Sequence, residues 1–174
     1  MFLLEKREVS NVQSRILIAK LQWRTYAFEL QTEGEMNKVN PGAVIVAAVV
    51  DWFAQAGWFT AFKPTYTAGL GLTPQQVAES EAHPDPWMYV TALVANLVMA
   101  LVIAKVIGWV GQWSAAGGAR VGFILGLGIA FTAMATAYVF EGKPHSFIYI
   151  SAGYPVVGCI LMGAILGAWK PKGA

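Results

Sequence analysis

The chain has 174 residues, 56% of them apolar and only 13% charged, with a mean hydropathy of +0.52. That profile lies on the membrane side of ordinary globular composition. A net charge of +2 with no basic cluster among aromatics argues against nucleic acid as a partner, and a single cysteine, Cys159, excludes a disulfide framework or a Cys-based zinc site within one chain.

Residues 1–40 carry half of the charges and no long apolar core. They also lack a small-residue cleavage site, so they do not read as a secretory signal. Two readings stand side by side. Residues 13–30 mix Ile16, Leu17, Leu21, Trp23, Tyr26 and Phe28 with Arg15, Lys20 and Arg24, the pattern of an interfacial helix in a cytoplasmic tail. Alternatively Met36 is the native start, and residues 1–35 do not belong to the protein.

Four segments then reach the length of about 20 apolar residues that a helix needs to cross about 30 Å of hydrocarbon. They are 43–62, 87–110, 121–140 and 147–169, inside a membrane domain of 41–170 that leaves 171–174 as a tail. Their predicted boundaries are Pro41-Gly42, Lys63-Pro64, Asp85-Pro86, Gly117-Gly118, Glu141-Gly142 and Lys170-Pro171. Only helices pair their own backbone groups in lipid. The expected fold class is therefore all-α: a four-transmembrane-helix bundle. In the first connection Thr73-Pro74-Gln75-Gln76 reads as a capping box, predicting a short helix over about 74–82 on the outer surface. Lys38, Lys105, Arg120, Lys170 and Lys172 fall on one side and Lys63 and Lys143 on the other. The excess of cations on the first side predicts that both termini are cytoplasmic.

Asp51 is the residue that most needs an explanation. It lies within the first span, between Val49-Val50 and Trp52-Phe53. An acid at the centre of a membrane helix costs roughly 2.5–3.5 kcal/mol on insertion scales. Three arrangements relieve that cost: a proton on the carboxyl, a hydroxyl partner from Thr132, Tyr138 or Tyr154, or a wet cavity open to one side. Gln55 shares a helix face with Asp51. At about 1.5 Å of rise per residue it reaches the depth of Asn96, which predicts a Gln55–Asn96 hydrogen bond. Lys105, nine residues from Asn96, faces the other way and is expected to snorkel to the cytoplasmic interface. Asp51, Gln55, Asn96 and Tyr154 are thus the candidate ligand or proton pathway.

Small residues recur at four-residue spacing: Ala92, Asn96, Ala100, Ala104 and Gly108 on the second span, Gly122 and Gly126 with Ala130 on the third, Gly163 and Gly167 on the fourth. Such stripes let backbones approach closely. They read as packing within one bundle, or alternatively as a homodimer or larger-complex face. Lys63-Pro64 and Lys143-Pro144-His145 form an outer-loop motif. It is read either as two helix stops or as the mark of a duplicated hairpin. Pro155 is expected to kink the fourth span. No cofactor fingerprint and no metal-ligand spacing occur within the spans; the pair His145 and Glu141 is the one candidate for acid–base chemistry, and its place at helix ends favours solvation.

The stretch Asp51-Trp52-Phe53 through Trp58-Phe59, then Phe62-Lys63-Pro64, then Leu70-Gly71-Leu72-Thr73-Pro74, resembles a bacterial and fungal membrane family called domain of unknown function 1761. The likeness covers about 40–169. Where family members carry Gly before Lys-Pro, this chain has Ala61-Phe62. The resemblance implies a four-span fold with a loop helix and a membrane location, here the bacterial inner membrane; it implies no activity. Trp58 and Phe62-Lys63-Pro64 are also similar to the tryptophan-rich sensory (translocator) proteins. Those have five spans and a Pro-Trp pattern where this chain has Thr65-Tyr66, so that likeness ranks lower. The expected function is a non-catalytic small-ligand-binding or accessory membrane subunit in the lipid bilayer. The alternative is a small proton-coupled transporter using Asp51.

Overall fold

The computed structural model describes residues 18–20, 22–24 and 39–171. The chain divides into two compact units, Met1–Asn37 and Lys38–Ala174. In the first, 18–20 and 22–24 are helical. The rest of the predicted interfacial helix lies outside the described residues, as do Met36, Lys38 and Lys172.

The second unit runs through helix α1 (Pro41–Ala61), α2 (Lys63–Leu70), α3 (Pro74–Ala82), α4 (Pro86–Val110) and α5 (Ala115–Leu125). A π-helical turn (Gly126–Phe131), α6 (Thr132–Phe140) and α7 (His145–Ala168) complete it. Helices α5 and α6 continue each other through the π turn, so Ala115–Phe140 forms one span. With α1, α4 and α7 this makes four helices long and apolar enough to cross a bilayer. No strand occurs among the described residues. The fold is the all-α four-helix membrane bundle expected from the sequence.

The ends of the helices follow from local chemistry. Asn40 caps α1 by accepting from the N–H groups of Gly42 (3.0 Å) and Ala43 (3.3 Å), with Pro41 at the first helical position. Asp85 caps α4 by accepting from the Trp87 N–H at 2.9 Å. Both halves of the Thr73 capping box form. Gln76 N–H donates to Thr73 Oγ1 at 3.3 Å, and Thr73 N–H donates to Gln76 Oε1 at 2.8 Å. Gly71 and Gly111 end α2 and α4 in the left-handed conformation that glycine adopts without penalty.

Two boundaries differ from expectation. Gly117-Gly118 does not precede the third span but lies inside it, because Ser114 caps α5 by accepting from Gly117 N–H at 3.0 Å. Lys63-Pro64 does not stop the chain in a loop. Phe62 serves as the C-cap of α1 and the N-cap of α2, with Pro64 in the first turn of the new helix, where its missing N–H costs nothing. Lys143-Pro144 instead precede α7. The two Lys-Pro pairs therefore occupy different local structures, and the duplicated-hairpin reading gains nothing from them.

The third span packs most extensively against α7, and α1, α4 and α7 pack against one another. Glycine makes the first contact possible. A Cβ on Gly118 would collide with the Gly163 carbonyl, one on Gly122 with the Cys159 carbonyl, and one on Gly167 with the Ser114 carbonyl. Gly126 approaches the fourth span where Pro155 interrupts it: a Cβ there would stand 2.8 Å from Val156 Cα and 3.1 Å from the Pro155 carbonyl oxygen. The π turn thus begins opposite the proline. Ala43, Ala47 and Ala48 of α1 share a buried core with Ala100, Ile103, Ala104 and Ile107 of α4 and with Cys159, Met162 and Leu166 of α7. On α4, Gly108 is also buried and Ala92 is partly buried. Phe53, Val98, Ile124, Ile129 and Phe140 point outward, Phe140 being 88% exposed. A bundle whose spans all present bare aliphatic and aromatic faces suits contact with lipid rather than water.

Candidate functional site

Asp51 is 2% exposed, near the middle of α1. Its partner comes from α7. Tyr154, 4% exposed, places its hydroxyl oxygen 2.7 Å from Asp51 Oδ1 and 2.7 Å from the Asp51 backbone carbonyl. Asp51 sits roughly ten positions before the end of α1 and Tyr154 roughly ten after the start of α7, so helical rise alone brings them level. Gly158, one turn beyond Tyr154, leaves the space the carboxyl fills. A Cβ on Gly158 would stand 3.3 Å from Asp51 Cγ and closer still to Oδ1.

An aromatic stack separates this pair from the end of the bundle that carries α2. Trp58 and Phe59 lie against the Tyr154 ring at 5.9 and 5.8 Å between centroids. Phe59 meets Tyr66 edge-on at 4.8 Å, and Tyr66 stacks on Phe147 at 5.5 Å with the rings 16° apart. Tyr138 meets Phe147 edge-on at 5.2 Å, and Lys143 Nζ lies 5.5 Å from the same ring centre. α2 is tied to this stack through Gly69, whose missing side chain leaves room for the Phe147 ring. Trp58 also donates its indole N–H to the Ile150 carbonyl at 3.1 Å. That bond falls beside Ser151, whose own carbonyl loses its α-helical donor because Pro155 has no N–H.

The predicted hydroxyl donors separate clearly. Thr132 is exposed and donates to the Gly128 carbonyl in the preceding π turn at 2.8 Å, within its own span. Tyr138 packs on Phe147, leaving Tyr154 as the hydroxyl that reaches Asp51. Gln55 is partly buried on α1, but the expected Gln55–Asn96 bond is not made through the Asn96 amide nitrogen. Asn96 Nδ2 is buried without a hydrogen-bond partner. Helical rise speaks to depth along the axis and not to which way α4 is turned.

Lys105 is exposed. Lys63 pairs with Glu81, joining α2 to α3. Pro144 and His145 are exposed at the start of α7, and Glu141 is exposed at the end of α6. Among the described residues, no group of three or more His, Cys, Asp or Glu side chains is placed to hold a metal ion.

Sequence reasoning passed over Ser151, and it took Gly158 only as a neighbour of the Pro155 kink. Ser151 is 3% exposed, with its Oγ buried and without a partner. The i, i+3, i+7 spacing of Ser151, Tyr154 and Gly158 places all three on one face of α7, a signal that was available in the sequence. Asp51, Asn96 and Ser151 thus come from the three helices that pack together as α1, α4 and α7.

Comparison with curated proteins and with solved structures gave no match, and nothing supports the likeness to the tryptophan-rich sensory proteins. The family model described as "Protein of unknown function (DUF1761)" matches residues 42–167, which take in Asp51, Tyr154 and most of every span. The chain belongs to that family.

Proposed function

We propose that the protein is a non-catalytic ligand-binding or accessory subunit of a bacterial inner membrane, with both termini in the cytoplasm. The orientation rests on the excess of lysine and arginine at the inner helix ends. The functional reading rests on one observation. Asn96 Nδ2 and Ser151 Oγ are buried without partners on the two helices that pack with the one carrying Asp51. Buried polar groups left unpaired in an apolar surround are uncommon and ask for an occupant. Small-molecule sites usually combine a few polar groups with apolar walls. As an accessory subunit, the protein would meet its partner complex through the apolar outer faces of its spans.

A second reading, a small proton-coupled transporter using Asp51, is favoured by a buried acid held by a neutral hydroxyl. One experiment separates the two. Asp51→Asn protein, reconstituted in vesicles, is expected to keep its fold and to co-purify with the same bound molecule or partner as the parent. If instead Asp51→Asn folds normally but abolishes a proton-driven uptake that the parent performs, the transporter reading replaces the first.

A further inference from the structure

Tyr154 Oη lies 2.7 Å from two oxygens of the same residue, the backbone carbonyl and Oδ1 of Asp51. A phenol owns one proton. Two oxygens at that distance repel unless a proton lies between them, so two such contacts are best served by two protons. The carbonyl carries none. It accepts from its own helix with one lone pair and has a second for Tyr154. The phenol alone serves both contacts only by splitting its proton between them in a weaker three-centre bond; a second proton, which among these three groups only the carboxyl can carry, gives each contact its own.

We propose that Asp51 is a proton-binding site: its carboxyl donates to Tyr154 Oη, and the phenolic proton goes to the Asp51 carbonyl, closing a neutral two-proton clasp between α1 and α7. The surroundings fit a neutral acid. Asp51 is 2% exposed, and the ion pair found among the described residues is Lys63–Glu81, at the outer helices. Gly158 places bare backbone beneath the carboxyl, and Cys159 beside it is buried. An ionised Asp51 would leave two acceptors competing for one phenolic proton and an unpaired charge within the bundle. Losing the proton therefore loosens the contact between the first and fourth spans. This assignment stands apart from the ligand-binding reading, since it concerns the pair itself and not an occupant.

The sequence contains only two aspartates, Asp51 and Asp85. Asp85 is an exposed helix cap. Isotope-labelled aspartate in the full protein, reconstituted in lipid vesicles at neutral pH, therefore gives two side-chain carboxyl signals by magnetic resonance. One is expected at the position of a protonated acid. It should survive Asp85→Asn and move in Tyr154→Phe. Two ionised signals at neutral pH would overturn the proposal. So would a protonated signal that Tyr154→Phe leaves unmoved, because the clasp would then not be its cause.

Discussion

Gly122→Val is expected to destabilise the bundle by about 3 kcal/mol, at the upper end of what overpacking a core costs. The Cβ of any residue at 122 would fall on the Cys159 carbonyl, which belongs to backbone and cannot rotate away. Either the third span moves off α7 or the chain bends, and the neighbouring contacts of Gly118 with Gly163 and of Gly167 with Ser114 open with it. In a membrane, helix association draws little on the hydrophobic effect, so close packing of this kind carries much of the stability. Reversible unfolding in mixed micelles measures the loss. Gly128→Val serves as the comparison. Its Cβ would meet nothing within 4 Å, and the residue faces outward on the π turn. Its effect should stay within about 0.5 kcal/mol. Equal losses at 122 and 128 would mean that the glycines serve backbone conformation and not the contact.

Tyr154→Phe is expected to cost about 2 kcal/mol while leaving the ring packing intact. An average side-chain hydrogen bond between membrane helices contributes only about 0.6 kcal/mol. The larger figure follows because the variant removes one partner and strands the other: the Asp51 carboxyl stays buried with its hydroxyl gone. The phenyl ring that remains can still lie against Trp58 and Phe59, so little cavity forms. Tyr149→Phe, at a residue 66% exposed, should change stability by less than about 0.5 kcal/mol. A Tyr154→Phe loss no larger than that of Tyr149→Phe would show that Asp51 is satisfied elsewhere.

The spans were legible because lipid imposes a harsh and simple rule: every backbone group must pair within its own segment, over about 20 apolar residues. The loop helix was legible because a capping box is a contact among four consecutive residues. What escaped depends on a second helix. Gly117-Gly118 reads as a breaker until Gly163 and Gly167 are seen to need bare backbone opposite. The π turn at Gly126 meets Pro155, almost thirty residues further along the chain. Thr132, Tyr138 and Tyr154 all carry a hydroxyl able to pair with an acid. Choosing among them takes the rotation of each helix about its axis as well as its depth, and spans apolar on every side carry little periodic signal from which to read rotation. The same ambiguity applies to Asn96, whose amide nitrogen lacks the partner expected from Gln55.

The acid of the first span turns inward onto α7. Paired substitution with cysteine in the native membrane, in a Cys159→Ser background, tests it most directly. Asp51→Cys combined with Gly158→Cys should form an intramolecular disulfide on mild oxidation, because the Asp51 side chain lies against Gly158. Phe53→Cys combined with Gly158→Cys should not, since Phe53 is 64% exposed on the outer face of the same helix. Cross-linking from position 53 and none from position 51 would mean that the acid faces lipid, and the site described around it would not exist.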